Sequence, residues 1–166
     1  GMDPRFDFTD TYWLVAGIAG GDPEDTSPAD AVWTDWAIDG DIGHEIDPRE
    51  APDDWPTGYI PFRMKAPYQL PIPDADQHWG VRYQLNTSLL HWAYELTKDI
   101  ELVTDEGAEN LRLKFSDFDG AQHPPRVQIG SHLAAATYWH GALMNDWANG
   151  WVNYWTEGDG DFYTSA

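Results

Sequence analysis

The chain has 166 residues, 42% hydrophobic and 14% aromatic, enough for one folded domain and too apolar for a disordered chain. A formal charge of −20, with only nine Lys and Arg, excludes a nucleic-acid backbone as partner and disfavours an anionic membrane surface. With no Cys there is no disulfide, thiolate metal site or thiol nucleophile, and the longest apolar stretch is about half the ~20 residues of a spanning helix.

Residues 11–19, Thr-Tyr-Trp-Leu-Val-Ala-Gly-Ile-Ala, predict a buried strand, apolar on both faces, as found inside a parallel or mixed sheet. Gly20-Gly21-Asp22-Pro23 stops it, and a loop follows to Asp30. From Val32 the residues Val32, Thr34, Trp36, Ile38, Gly40, Ile42, His44 and Ile46 alternate with Trp33, Asp35, Ala37, Asp39, Asp41, Gly43, Glu45 and Asp47. That period of two predicts a long strand or hairpin with one apolar and one acidic face, bent at Gly40 or Gly43. Seven prolines between residues 48 and 76 predict an irregular but ordered excursion, with Trp55, Tyr59, Phe62 and Tyr68 as packing handles. Residues 86–99 predict a helix capped by Asn86, with Leu89, Leu90, Ala93 and Leu96 on one face. A weaker helical stretch over 106–115 and a strand over 126–131 follow. A helix from Gly141 to Trp155 then carries Leu143, Trp147, Trp151 and Trp155 in four-residue steps, and the tail from Gly158 leads toward a strand. This order predicts a single α/β domain over residues 1–166, a mixed β-sheet flanked by helices.

Gly17-Ile-Ala-Gly-Gly21 can present bare backbone amides to a ligand, although a tight turn after a strand is the commoner use of such a run. It lacks both the dinucleotide-binding spacing and the Gly-Lys-Ser/Thr of a P-loop. The acidic stretch Asp39 to Asp47 fails the calcium-loop template, with Gly43 where an oxygen ligand belongs and His44 where the glycine belongs. Alternation explains those acids better, and no metal is expected. The histidines at 44, 78, 91, 123, 132 and 140 show no zinc spacing. Ser131 and Ser165 lack a nucleophile-elbow context. Tyr138 and Trp139 can stack on a flat base, at roughly 1–3 kcal/mol per ring by analogy with single-strand readers, although core packing is the ordinary use of such rings. His140 follows them at the predicted helix start. An amide floor and an aromatic wall together suit a base carrying a polar sugar.

Several of these stretches carry a family likeness. Phe8-Thr-Asp-Thr-Tyr-Trp-Leu-Val-Ala-Gly-Ile-Ala-Gly20 and Glu45-Ile-Asp-Pro-Arg-Glu-Ala-Pro-Asp-Asp-Trp-Pro-Thr-Gly-Tyr-Ile-Pro61 resemble the purine nucleoside permease family of fungi and bacteria. Gln84-Leu-Asn-Thr-Ser-Leu89, Thr137-Tyr-Trp-His-Gly-Ala-Leu143 and Asp146-Trp-Ala-Asn149 continue the match in order along the chain. That family is in turn similar to the nucleoside phosphorylase and nucleosidase superfamily, which implies part of a nucleoside phosphorylase-like fold. The resemblance implies that Ile18, Ala19 and Gly20 lie beside the nucleoside, that Tyr138 stacks on the base, and that Trp139 and His140 neighbour it. Family members are about twice as long, so the chain is expected to correspond to their middle. The upstream βα units and the downstream acidic motif of the wider superfamily have no counterpart in it. Ala135 and Ala136 stand where relatives often carry Ser-Asp.

The leading expectation is therefore purine nucleoside binding, in uptake or metabolism, without a cofactor. An N-glycosidic bond-cleaving enzyme, with phosphate as co-substrate of phosphorolysis, is the second reading, and the residues name no acid or base for it. A structural or sugar-binding module is the third. Unpaired sheet edges favour a homo-oligomer. The start, Met-Asp-Pro-Arg-Phe-Asp, has no signal-peptide pattern; a soluble, periplasmic or envelope-associated location stays open.

Overall fold

The computed structural model describes residues 3–69, 80–136, 141–160 and 163–165, and the period-two run that begins near Val32 forms its central strand. In chain order the strands are β1 (Gly20–Gly21), β2 (Ala31–Asp39), β3 (Gly43–Glu45), β4 (Tyr59–Pro61), β5 (Arg82–Gln84), β6 (Val127–Ala134) and β7 (Tyr163–Ser165). The helices are α1 (Thr87–Thr97), α2 (Glu106–Arg112) and α3 (Ala142–Thr156), with short 3-10 turns over Leu113–Phe115 and Asp119–Gln122. Five strands form one sheet in the order β1-β7-β6-β2-β5. β6 runs parallel to both β2 and β7, while β1 and β5 are antiparallel edge strands. This is the mixed sheet of the expected α/β class.

The alternation in β2 is interrupted. Thr34 pairs with Gly130 and Ala37 with His132, so Asp35 and Trp36 together oppose Ser131 in a β-bulge. Asp35 satisfies the bulge: its Oδ1 accepts from Trp36 N at 2.7 Å and Ser131 Oγ at 3.0 Å, and its carbonyl accepts from Leu85 N at 2.8 Å. Trp33 pairs with Ile129 and Ile38 with Leu133. Paired residues share a face, and Ile129 and Leu133 lie on the same face of β6, so Trp33 and Ile38 do too. A strict two-residue count puts them on opposite faces. Nor does the run continue as one strand or hairpin. It bends at Gly40, whose N–H donates to Ala134 O at 2.8 Å, and β3 pairs with β4 in a separate two-stranded sheet.

The expected buried strand at 11–19 is absent. These residues form neither helix, turn nor bend, carry no ladder, and are exposed, Val15 at 93% and Ile18 at 98%. A strand apolar on both faces needs neighbours along both edges and a layer over each face. The described residues offer only β7, and only to Gly20 and Gly21.

Helix α3 supplies most of the core. Trp147, Trp151 and Trp155 recur every four residues, so their rings stack along one face, with centroids 5.0 and 6.2 Å apart. With Ala148, Val152 and Tyr154 they pack on Ile38, Val81 and Leu133 of the sheet side. Leu143, expected on the same face, is exposed. The helix ends at Glu157 in the left-handed region (φ 57°), and Glu157 pairs with Arg82 of β5 at 2.7 Å. Arg82 also donates to Trp155 O and lies 5.6 Å over the Trp36 ring. The proline-rich excursion folds back onto the helix through Tyr59, Phe62 and Met64. Tyr68 rests on Gly150, where a Cβ would stand 2.0 Å from the tyrosine Cε1, so only glycine admits this approach.

Helix α1 starts as expected, Asn86 Oδ1 accepting from Leu89 N at 3.0 Å, but only Leu90 and Ala93 are buried and Leu96 points out. Helix α2 is capped by Asp105 and carries Glu106 and Glu109 in its first turn and Arg112 in its last, the signs that suit a helix dipole.

Tyr154 is 2% exposed, and its hydroxyl has no hydrogen-bond partner among the described residues. Burial pushes the phenol up to about 12, with Arg82 opposing in part. A folded-state pKa above the unfolded value of about 10 stabilises the protein fully below pH 10, and the contribution is lost as pH rises through about 12. Urea unfolding from about pH 9 to about pH 12 should show stability falling across that window, and Tyr154→Phe should flatten the fall. A fall of equal slope in the variant would remove Tyr154 from the account.

Candidate functional site

Parallel neighbours β2 and β6 end level with each other, Asp39 opposite Ala134. In open α/β sheets the ground just beyond the carboxyl ends of parallel strands is where ligands sit, because the chain must turn away there and leaves a crevice. Here that ground is an open cleft of about 460 Å³. Ala37, Ile38 and Asp39 of β2 meet Ala134 and Ala135, with Asp41, Gly80, Val81 and Tyr83 around them.

A hydrogen-bond chain holds the cleft. Asp39 N donates to Val81 O at 2.7 Å, Asp41 N to Asp39 Oδ1 at 2.7 Å, and Ala136 N to Asp41 Oδ2 at 2.7 Å. Trp151 Nε1 donates to Asp39 O at 3.0 Å, so the core helix props the cleft from below. Two carboxylates therefore sit at fixed places in a pocket of small apolar residues. Tyr83, 60% exposed, brings a phenol ring to the same space. No Lys or Arg is among the lining residues. Such a lining accepts hydrogen bonds from hydroxyl and N–H groups and repels anions. His132, two residues before the end of β6 and paired with Ala37, is held below its ordinary pKa by burial.

Gly20 pairs with Ser165, Ser165 with Leu133, and Leu133 with Ile38, so Gly20 lies on the same row as a cleft residue. β1 runs against β7, β6 and β2, so Ile18 and Ala19, which precede Gly20, enter from the sheet end where the cleft opens. Two strand spacings, roughly 10 Å, separate β1 from β6. Gly21 must be glycine, since a Cβ would stand 2.3 Å from Thr26 Oγ1. The buried Asp22 that follows ties this end to α3, its Oδ2 accepting from Asn149 Nδ2 at 2.5 Å. Tyr138, Trp139 and His140 lie outside the described residues; in sequence they follow Ala136, whose N–H is bound to Asp41.

Sequence reasoning missed Asp39, Asp41, Gly80, Val81 and Tyr83 as site residues. A signal was available for the first two: a bend at Gly40, one of the two glycines at which the alternating run can bend, puts Asp39 and Asp41 at a strand's carboxyl end. The other three reach the cleft only through the antiparallel pairing of β5 with β2. Among the described residues no group of three or more His, Asp or Glu could hold a metal ion. His44 lies against Phe62, with ring centroids 5.9 Å apart, and His123 is 3.6 Å from Asp30, both outside the cleft. None of the described helices is long and apolar enough to cross a membrane.

Comparison with known proteins agrees with the likeness seen in the sequence. The purine nucleoside permease (NUP) family model matches residues 1–166. A Schizosaccharomyces pombe protein named "Probable purine nucleoside permease C285.05" is 27% identical over 169 residues, covering 99% of this chain and 48% of the relative. The "Purine nucleoside permease" of Candida albicans is also 27% identical over 169 residues, covering 99% of this chain and 41% of the relative. The chain thus spans about half the length, or less, of these curated relatives. No solved structure matches it significantly. With the family model matched from end to end, the chain belongs to the purine nucleoside permease family.

Proposed function

We propose that this protein binds a purine nucleoside in the cleft at the carboxyl ends of β2 and β6, in the service of nucleoside uptake or metabolism. The observation that carries the reading is the cleft lining: Asp39 and Asp41 beside small apolar residues and the Tyr83 ring. Carboxylates accept hydrogen bonds from sugar hydroxyls, while an apolar floor and an aromatic ring suit a base. The named function of the two relatives supports the same ligand class. On this reading the sheet is part of a nucleoside phosphorylase-like scaffold. Ile18, Ala19 and Gly20 offer backbone groups beside the nucleoside, Tyr138 stacks on the base, and Trp139 and His140 neighbour it. Binding needs no cofactor; phosphate would enter only with cleavage of the glycosidic bond.

Calorimetric titration with inosine and adenosine, with ribose as control, tests the reading. Base-dependent binding is expected. Tyr138→Ala should weaken it by the worth of one stacked ring, roughly 1–3 kcal/mol or about 5- to 150-fold. Ala134→Trp should abolish it by filling the cleft, at little cost to the fold because Ala134 is exposed. Equal binding of ribose would replace the nucleoside with a sugar as ligand. No binding at millimolar ligand would overturn the proposal.

A further inference from the structure

All nine Lys and Arg of the chain fall among the described residues, and none of them lines the cleft. Arg82 stands in sequence between two lining residues, Val81 and Tyr83, but its guanidinium is committed elsewhere, to the Trp155 carbonyl and to Glu157 at 2.7 Å. Arg5, Arg49 and Lys98 pair with acids close by in sequence, Asp3, Asp47 and Glu95, and Arg112 donates to the Ser27 hydroxyl and the Pro28 carbonyl. Asp39 and Asp41 thus line the cleft without a cationic side chain to offset them. The N–H groups of Asp41 and Ala136 hold the two carboxylates in place, but a peptide N–H has no net charge to cancel theirs. The field of the whole chain, −20 in all, has the same sign.

Resting on the nucleoside reading of this cleft, we propose that Asp39 and Asp41 select the ligand by charge, so that the cleft takes nucleosides and turns away nucleoside monophosphates and inorganic phosphate. Phosphate is ordinarily seated by Lys, Arg or a concavity of open backbone N–H groups. Here the N–H groups of Asp39, Asp41 and Ala136 are already taken, by the Val81 carbonyl and by the two carboxylates themselves. A phosphate monoester carries roughly −1.5 to −2 charges at neutral pH. Set against two carboxylates, even at the dielectric constant of water, that charge weakens binding by at least about tenfold. A hydroxyl in the same place meets no such penalty, and an ammonium group gains. The selection also orders events. A nucleotide must lose its phosphate by ester hydrolysis before its nucleoside enters, and phosphorolysis finds no cationic seat for its anion among the described residues.

Calorimetric titration of the purified chain with adenosine, adenosine monophosphate and an adenosine analogue bearing an amine in place of the primary hydroxyl tests the proposal. Near neutral pH and at about 0.1 M salt the monophosphate should bind at least about tenfold more weakly than adenosine, and the amine more tightly. The gaps should narrow at about 1 M salt, as the Debye length falls from roughly 10 Å to roughly 3 Å. Asp39→Asn and Asp41→Asn remove a charge while keeping shape and an acceptor oxygen. In each, the ratio of the monophosphate and adenosine dissociation constants should fall by at least about threefold. Because that ratio is read within one variant, a general loss of affinity or of folded protein does not imitate the effect. Adenosine that binds no better than its monophosphate overturns the proposal and leaves the nucleoside reading standing, with the amides of residues 18–20 as the seat of phosphate. A ratio unchanged in both variants overturns the assignment to Asp39 and Asp41. A chain that binds none of the three overturns the nucleoside reading and this inference with it.

Discussion

Trp151→Ala should cost about 4 kcal/mol of unfolding free energy, near the middle of the range for a buried tryptophan truncated to alanine. Trp151 is 3% exposed and lies between Trp147 and Trp155 in the helix stack. Its ring fills the space over Gly43, where a Cβ would stand 2.7 Å from the tryptophan Cη2, so the same side chain also seats the β3–β4 sheet. Its Nε1 holds the Asp39 carbonyl. The variant therefore leaves a cavity and removes the prop beneath the cleft. Urea denaturation should show a midpoint shift of that size at unchanged slope, and nucleoside affinity should fall even where the variant stays folded. Trp92→Ala is the matched control. Trp92 is 61% exposed on α1, and its removal should stay within about 0.5 kcal/mol of the wild type. Equal effects at the two positions would mean that the core is not organised around α3.

Gly120→Ala should cost up to about 3 kcal/mol, the upper end for inserting one methyl into a packed site. A Cβ there would stand 1.9 Å from Glu24 O and 2.1 Å from Glu24 C, both main-chain atoms that cannot swing aside as a side chain can. The 3-10 turn at Asp119–Gln122 is where the loop after β1 comes to rest. Ser27 Oγ donates to Ala121 O at 3.0 Å, and Arg112 Nε donates to Ser27 Oγ at 2.9 Å. Pushing Glu24 away strains both bonds, and with them the turn at Asp22 that fixes the entry into the sheet. Gly17→Ala is the contrast, since its Cβ would meet nothing within 4 Å. Thermal melts of the two variants should differ by several degrees. A Gly120→Ala melt at the wild-type temperature would show that the loop rides clear of the turn.

What the sequence made legible was local. The Asn86 cap needs only a side chain and an amide three residues on, and the tryptophan spacing of α3 needs only the helical period, so both could be read before any contact was known. The two misread strands fail for one reason, that strands depend on neighbours far away. Thr11 to Ala19 has the composition of a central strand, but composition does not supply the strands beside it. The alternation from Val32 is real on either side of Asp35-Trp36. The bulge that shifts its phase is stabilised by Ser131 and Leu85, which no count within the run could foresee. The cleft is illegible for the same reason: Asp39 and Asp41, Val81 and Tyr83, and Ala134 and Ala135 come from three separate stretches that meet only once the sheet is ordered.

The pairing of β2 with β6 has a consequence for how the chain reaches this form. Asp35 and Ser131, joined by a hydrogen bond in the bulge, stand 96 residues apart, and Gly20 waits for Ser165 across nearly the whole chain. Distant parallel pairings form slowly, because much chain entropy is lost before any contact rewards it. During synthesis β2 is made well before β6 and must stay unpaired until β6 emerges. Throughout that interval its edges, and the bare run before β1, are open to neighbouring chains. The emerging chain is already strongly acidic, and its charge repels such neighbours, so the acidity that excludes nucleic acids also acts against contacts between chains during folding.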